Sequence, residues 1–344
     1  MFWVLSIMES SDRWMNLNFG PSHPATHGTL RIFVQVDGET VRNMKLEIGY
    51  LHRCFEKMAE THPWNQVIPF TDRLNYVSAM MNNVGYCKAV EDLLGIEVTP
   101  RCQRLRVIIS ELSRIIDHFV AIGTNAIDVG ALTSFWYFFR ERENIYDLFE
   151  ALCGARLTTS ATRVGGMYKD IPSGWLEWVK KVCDNLPRTL DDCEGLLTDN
   201  RIWIDRTRGV GPISKEMAID YGFTGPCLRA SGVDYDIRKA RPYYGYDELD
   251  WKVITHEDGD TYARYLVRIG EIRESLKIVQ QCLKDFPEGP INVDDWAITL
   301  PPKDQVYGNI EGLMAHFKLI MHGIQPPKGE IYSSTEAANG ELGF

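Results

Sequence analysis

Apolar residues recur at helical spacing along several long stretches of this chain. From Phe70 to Leu94 the stripe is Leu74, Val77, Met81, Val84, Ala89 and Leu93, with Thr71 or Asp72 as its start. Thr99-Pro100 opens a second helix, with proline at the first helical position and Leu105, Ile108, Ile109, Leu112, Ile115, Ile116 and Phe119 on one face. Ser134 to Leu152 is aromatic on one side and charged later. Ile171-Pro172-Ser173 caps a helix running to about Asn200, Thr261 to Lys284 forms another, and Asn309 to Gly323 is stopped by Pro326-Pro327. Cys54 to Glu60 makes a shorter one. Strand patterns are fewer. Thr29–Val36 and Glu39–Ile48 flank Asp37-Gly38, the pattern of a β-hairpin. Arg156–Arg163 reads as extended up to Gly165-Gly166, residues 201–258 as irregular with short strand-like pieces, and Glu330-Ile331-Tyr332 as the start of a strand. These patterns predict an α+β fold: an N-terminal antiparallel β element on a core of long helices. Residues 1–50 form the loop and hairpin region, 51–200 the helical core, and 201–344 an irregular excursion with further core helices, all within one structural domain.

Composition narrows the function classes. A net charge of −10 and a pI near 5.4 argue against nucleic acid as a partner, which needs a cationic surface. The eight cysteines are scattered without a CxxC pair, the usage of reduced thiols, and they lack the spacing of a zinc or iron–sulfur site held by this chain. Met1–Met8 is apolar but too short for a signal peptide. Between Phe119 and Phe139 the only charge is Asp128, yet Gly123, Asn125 and Gly130 interrupt the run, which predicts a helix end and a turn buried in protein.

One loop stands out. In Asn18-Phe19-Gly20-Pro21-Ser22-His23-Pro24-Ala25-Thr26-His27-Gly28, two histidines four apart are framed by proline and glycine, the make-up of a rigid turn leading into the first strand. Spacing alone favours two ordinary loop histidines. No nucleophile motif, phosphate loop or dinucleotide fingerprint accompanies them, and Gly209-Val210-Gly211-Pro212 is a turn.

Taken together with Gly49-Tyr50-Leu51-His52-Arg53, Asp72-Arg73-Leu74-Asn75-Tyr76, Ala126-Ile127-Asp128-Val129-Gly130-Ala131, Gly154-Ala155-Arg156, Asn200-Arg201-Ile202-Trp203 and Leu228-Arg229-Ala230-Ser231-Gly232, that loop resembles the quinone-site (D-type, 49 kDa-type) subunit of respiratory NADH:quinone oxidoreductase, complex I. The resemblance runs from about Leu17 to Phe344. It implies the [NiFe]-hydrogenase large-subunit-like fold and a wall of the ubiquinone or menaquinone pocket, with electrons arriving from a [4Fe–4S] cluster on a neighbouring subunit and reduction coupled to proton translocation. By the same resemblance His27 and Tyr76 hydrogen-bond the quinone carbonyls, Asp128 pairs with His27, and Arg53 and Arg73 lie near the neighbour's cluster and favour its reduced form. His23 is then structural and His52 ambiguous. The implied partners are the cluster-binding B-type, the C-type and the membrane H-type subunits, and the implied location is peripheral, on the cytoplasmic side of the cell inner membrane (the matrix side if mitochondrial). This chain itself would hold no metal.

Two departures from the family pattern carry expectations. Thr158 stands where the family often has a titratable histidine, so a cluster potential with little pH dependence from this site is expected. The family also continues beyond the pattern at Glu341-Leu342-Gly343-Phe344 with a further strand region and a helix, so apolar surface is expected to lie uncovered. A hydrogenase-like nickel site would need paired cysteines, and His52-Arg53-Cys54-Phe55-Glu56-Lys57 offers one. A non-catalytic scaffold role is the remaining alternative.

Overall fold

The computed structural model describes residues 14–344; the apolar Met1–Met8 stretch lies outside them. The described residues form two compact units, one ending at Thr61 and one running from His62 to Phe344.

The first unit is built on an antiparallel sheet of β1 (Met15–Phe19), β2 (Leu30–Asp37) and β3 (Thr40–Ile48), in that order. β2 and β3 are the predicted hairpin, with the turn one residue later than predicted. Asp37 pairs with Thr40, so Gly38-Glu39 makes the turn, with Gly38 at φ 63°. Glycine at the first central position of a two-residue turn keeps the twist of its strands, which Asp37 could not do there. β1 is additional to the predicted hairpin; its Met15, Leu17 and Phe19 alternate with asparagines and pair with Val36, Val34 and Ile32. The short helix α1 (Phe55–Ala59) follows where predicted.

The second unit has the long-helix core. Its elements are α2 (Trp64–Thr71), α3 (Ala79–Leu94), α4 (Pro100–Asp128), α5 (Leu132–Cys153), the two-residue strands β4 (Thr162–Arg163) and β5 (Gly166–Met167), α6 (Trp175–Leu197), α7 (Arg201–Thr207), α8 (Lys215–Asp220), α9 (Gly225–Arg229), α10 (Ile237–Ala240), α11 (Thr261–Lys284), α12 (Lys303–Gly308), α13 (Ile310–His322), and a hairpin of β6 (Ser334–Ala337) and β7 (Gly340–Gly343). α4 is the axis: the predicted stripe from Leu105 to Phe119 is wholly buried against α3, α5 and α11. Proline at its first position and Thr99 Oγ1, accepting from Cys102 N at 3.2 Å, start it as the sequence predicts. The α+β reading holds in both units.

Several predicted boundaries differ from the observed ones. The Phe70–Leu94 helix breaks into α2, a turn, a one-turn helix at Tyr76–Ser78, and α3. Asparagine side chains on α3 reach back to the turn and supply hydrogen bonds that a continuous helix would have made along its backbone. α4 runs through Gly123 and ends at Asp128, inside the stretch where a helix end and a turn were predicted, but Asp128 and Gly130 are exposed in this chain and not buried. Gly123 is a close-packing position, since a Cβ there would lie 3.2 Å from the Phe135 ring, and it does not end the helix. Residues 201–258 contain short helices and no strand; Asn200, Ser214 and Asp236 cap three of them with side-chain oxygens. β6 likewise begins at Ser334, not Glu330, and Gly174 rather than Ser173 precedes α6.

The C-terminal hairpin closes over α9. Gly225 has φ +67°, and a Cβ on it would fall 2.5 Å from Gly340 Cα, a backbone atom that cannot step aside. Gly225→Ala should therefore cost on the order of 2–3 kcal/mol, read as a lowered urea midpoint at unchanged slope.

Candidate functional site

In the first unit, His27 follows a one-turn helix, Pro24–Thr26, and is itself in the left-handed region at φ 52°, ψ 21°. Its ring is exposed on a loop that is stiff for a visible reason. Buried Thr26 gives its hydroxyl to the carbonyls of His23 (2.9 Å) and Pro21 (3.2 Å), and its own carbonyl accepts from Thr29 Oγ1. His23 is used internally: Nδ1 accepts from Ala25 N at 3.2 Å and the ring meets Phe19 edge-on. Arg53 and His52 are exposed beside Cys54, whose Sγ lies 3.6 Å from His52 Nε2.

In the second unit, Tyr76 opens its one-turn helix and is 42% exposed, a large proportion for a tyrosine beside a helical core. The turn before it is fixed at both ends. Asn83 Nδ2 donates to Thr71 Oγ1 (2.9 Å) and to Asp72 Oδ1, Asn82 Nδ2 donates to the Asn75 carbonyl (2.9 Å), and Asn75 Nδ2 donates to Asp117 Oδ2 (2.6 Å). Asp72 is 3% exposed, and burial pushes its carboxyl above the usual range against the hydrogen bond from Asn83 and the charge of Arg73. Arg73 is exposed, donates to the Pro69 carbonyl at 2.6 Å, and lies 3.7 Å from Asp72 Oδ2. Asp128 is the last residue of α4 and exposed. A carboxylate there sits at the negative end of the helix dipole, so helix stability does not explain it.

Backbone strain gathers at the same motifs. Among the described residues four non-glycine positions have positive φ: His27, Cys54, Thr158 and Tyr244. His27 lies in a segment that carried the sequence resemblance, Cys54 directly follows another, and Thr158 is a position that departs from the family pattern. For β-branched Thr158, at φ 51°, the conformation costs on the order of 1–3 kcal/mol, a strain of the kind found at functional sites.

By sequence Asp72 is a candidate helix start and part of Asp72-Arg73-Leu74-Asn75-Tyr76, whereas in the structure Thr71 and Asp72 lie at the end of α2; the asparagine-held turn was not anticipated. Also unanticipated is a buried ionic network. Glu111 accepts from Arg238 (3.0 Å), Tyr246 Oη (2.6 Å) and Ser275 Oγ (2.7 Å), and the arginines around it hold its carboxyl down at about 2 despite burial. Arg114 forks onto the Ala337 (2.9 Å) and Glu336 (2.7 Å) carbonyls. Arg229 joins Glu271 (2.7 Å) and Glu336 (2.8 Å), and His118 Nε2 meets Glu271 at 2.8 Å. These groups clamp β6 to the core.

Among the described residues no helix is long and apolar enough to cross a membrane, and no group of three or more His, Cys, Asp or Glu could hold a metal ion. Exposed polar side chains on hydrogen-bonded turns, His27 in the first unit and Tyr76 in the second, belong to the class of position where binding groups are commonly found. Similarity to known proteins makes the class specific. A model of the family described as respiratory-chain NADH dehydrogenase, 49 Kd subunit, matches residues 128–344. The chain is 59% identical over 334 residues to the C/D subunit of NADH-quinone oxidoreductase from Bdellovibrio bacteriovorus, covering 97% of this chain and 60% of the relative. It is 54% identical over 330 residues to the D subunit from Myxococcus xanthus (96% and 80%) and 49% identical over 335 residues to the D subunit from Geobacter sulfurreducens (97% and 86%). The chain belongs to the 49 kDa family of respiratory-chain NADH dehydrogenase subunits. It spans 60% of the length of the C/D relative and 80% of the Myxococcus protein.

Proposed function

We propose that this chain is the quinone-binding subunit of the peripheral arm of an NADH:quinone oxidoreductase. Its kinship with relatives named as D subunits of NADH-quinone oxidoreductase supports this, and so does the exposure of Tyr76 on a turn that hydrogen bonds hold at both ends. In this reading His27 and Tyr76 donate to the two carbonyls of ubiquinone or menaquinone. Reduction makes those weakly accepting oxygens strongly basic, so donors already aimed at them stabilise charge as it develops. Tyrosine, with an ordinary pKa of about 10, gives its proton only to a basic oxygen and must then be re-protonated. Asp128 fixes the tautomer of His27 and stabilises its cation. Arg53 and Arg73 face the [4Fe–4S] cluster of a B-type neighbour, where fixed positive charge favours the reduced form. C-type and membrane H-type subunits complete the site, the assembly couples electron transfer to proton translocation, and the chain sits peripherally on the cytoplasmic side of the membrane.

The test is His27→Ala in the assembled complex. Quinone-reductase turnover should fall on the order of 10²-fold while a native gel shows the full set of subunits. Intact turnover would leave the chain as a scaffold.

A further inference from the structure

We propose that Asp72 is a positioning residue for Tyr76: its carboxylate locks the turn that presents the phenol, and proton uptake by that carboxylate unlocks it. The proposal rests on the quinone reading above.

Asp72 directly follows α2, and only Arg73, Leu74 and Asn75 separate it from Tyr76. The turn is tied to α3 by two adjacent side chains, Asn83 at the Thr71-Asp72 end and Asn82 at the Asn75 end. A third tie runs from Asn75 to Asp117 on α4. The groups facing the buried Asp72 carboxyl are Asn83 from α3, Arg73 from the turn itself, and the more distant Arg163 at the end of β4. As an anion Asp72 accepts from Asn83 Nδ2 and attracts Arg73. Once protonated it becomes a donor and needs an acceptor. One is at hand: Asn83 Oδ1, in the same amide, is buried with no hydrogen-bond partner among the described residues.

Bringing that oxygen to the new O–H means turning the amide over, which withdraws Nδ2–H from Thr71 Oγ1. At the same time Arg73 loses its anionic neighbour. Two ties at one end of the turn are thus released by one proton, while the Asn82 tie remains. Burial raises the carboxyl, so the release falls at higher pH than for an ordinary aspartate. A phenol displaced by a fraction of an ångström still binds quinone but donates poorly as charge develops, so the effect belongs in kcat and not in KM.

The experiment measures kcat and KM for quinone between about pH 5 and pH 8 in the assembled complex. It compares wild type, D72N, D72E, Y76F and the D72N/Y76F pair. Wild type should lose kcat on the acid side at steady KM. D72N should sit about ten-fold low in kcat at all pH values, with no acid limb, and D72E should restore both. In the Y76F background D72N should add nothing, because Asp72 acts through the phenol. An acid limb that survives in D72N, or the same loss with and without the Tyr76 hydroxyl, overturns the proposal. Full turnover in Y76F removes the quinone reading and the proposal with it. Should D72N not assemble, Asn82→Leu serves, since it cuts the opposite tie without touching a titratable group. It should lower kcat and leave the midpoint of the acid limb in place; a lost or shifted midpoint would overturn the assignment to Asp72.

Discussion

Tyr76→Phe is expected to reduce quinone-reductase turnover of the assembled complex on the order of 10²-fold, with every subunit still present. The substitution deletes one oxygen from a ring that is already 42% exposed, so no buried partner is orphaned and no cavity opens. On the quinone reading proposed above, what it removes is a donor to an oxygen that becomes basic only as reduction proceeds, so kcat falls far more than quinone affinity. Steady-state rates and a native gel on the same preparation check it. A wild-type rate would restrict the kinship to fold and assembly.

The second large effect is on stability. Arg229→Leu should cost at least about 3–5 kcal/mol, because it leaves Glu271, Glu336 and Asp236 buried together without the guanidinium that joins them. The expected outcome is failure to accumulate, or a urea midpoint far below wild type. Lys at this position keeps the charge but loses the fork, and should fall between the two. The pH dependence has a definite sign. Glu271 is held well below the usual carboxylate range by Arg229 and the His118 contact, outweighing burial, and Glu111 is held at about 2. A depressed carboxylate contributes stability above its unfolded pKa of about 4.3 and loses it as pH falls through the folded value. Stability from these two groups should therefore be flat from neutral down to about pH 5 and decline below it; a decline centred near neutrality would contradict the network as described.

Much of the helical core was legible because burial on one face leaves a period. Leu105 to Phe119 announce α4, and Thr261 to Lys284 match α11 from first residue to last. The pattern failed where side chains replace backbone bonding. Nothing in the stripe from Leu74 to Leu93 says that Asn82 and Asn83 would bend the chain back at Asp72 and turn one helix into two. It failed again at buried charge. Arg106, Glu111, Arg114 and His118 are buried on α4; Arg106 meets Glu91 on the preceding helix, and the others find partners 127 to 223 positions away. Of the candidate site, the residue types and the stiffness of the His27 loop were visible, since proline and glycine mark a fixed turn locally. Asp72 was not, because its role depends on burial that only the tertiary fold supplies.

The reach of Arg114 to residues 336 and 337 has a consequence for biosynthesis. Its guanidinium waits for carbonyls 222 and 223 positions later in the chain. At ordinary translation speeds that is a delay of roughly 10–45 s between emergence of the arginine and arrival of its acceptors. Through that interval α4 carries charges it can neither bury satisfied nor leave fully hydrated beside its own apolar stripe. Until then Arg114 has Glu111, three residues back on α4, as its side-chain partner, and this part of the core is completed only once the β6–β7 hairpin has been made.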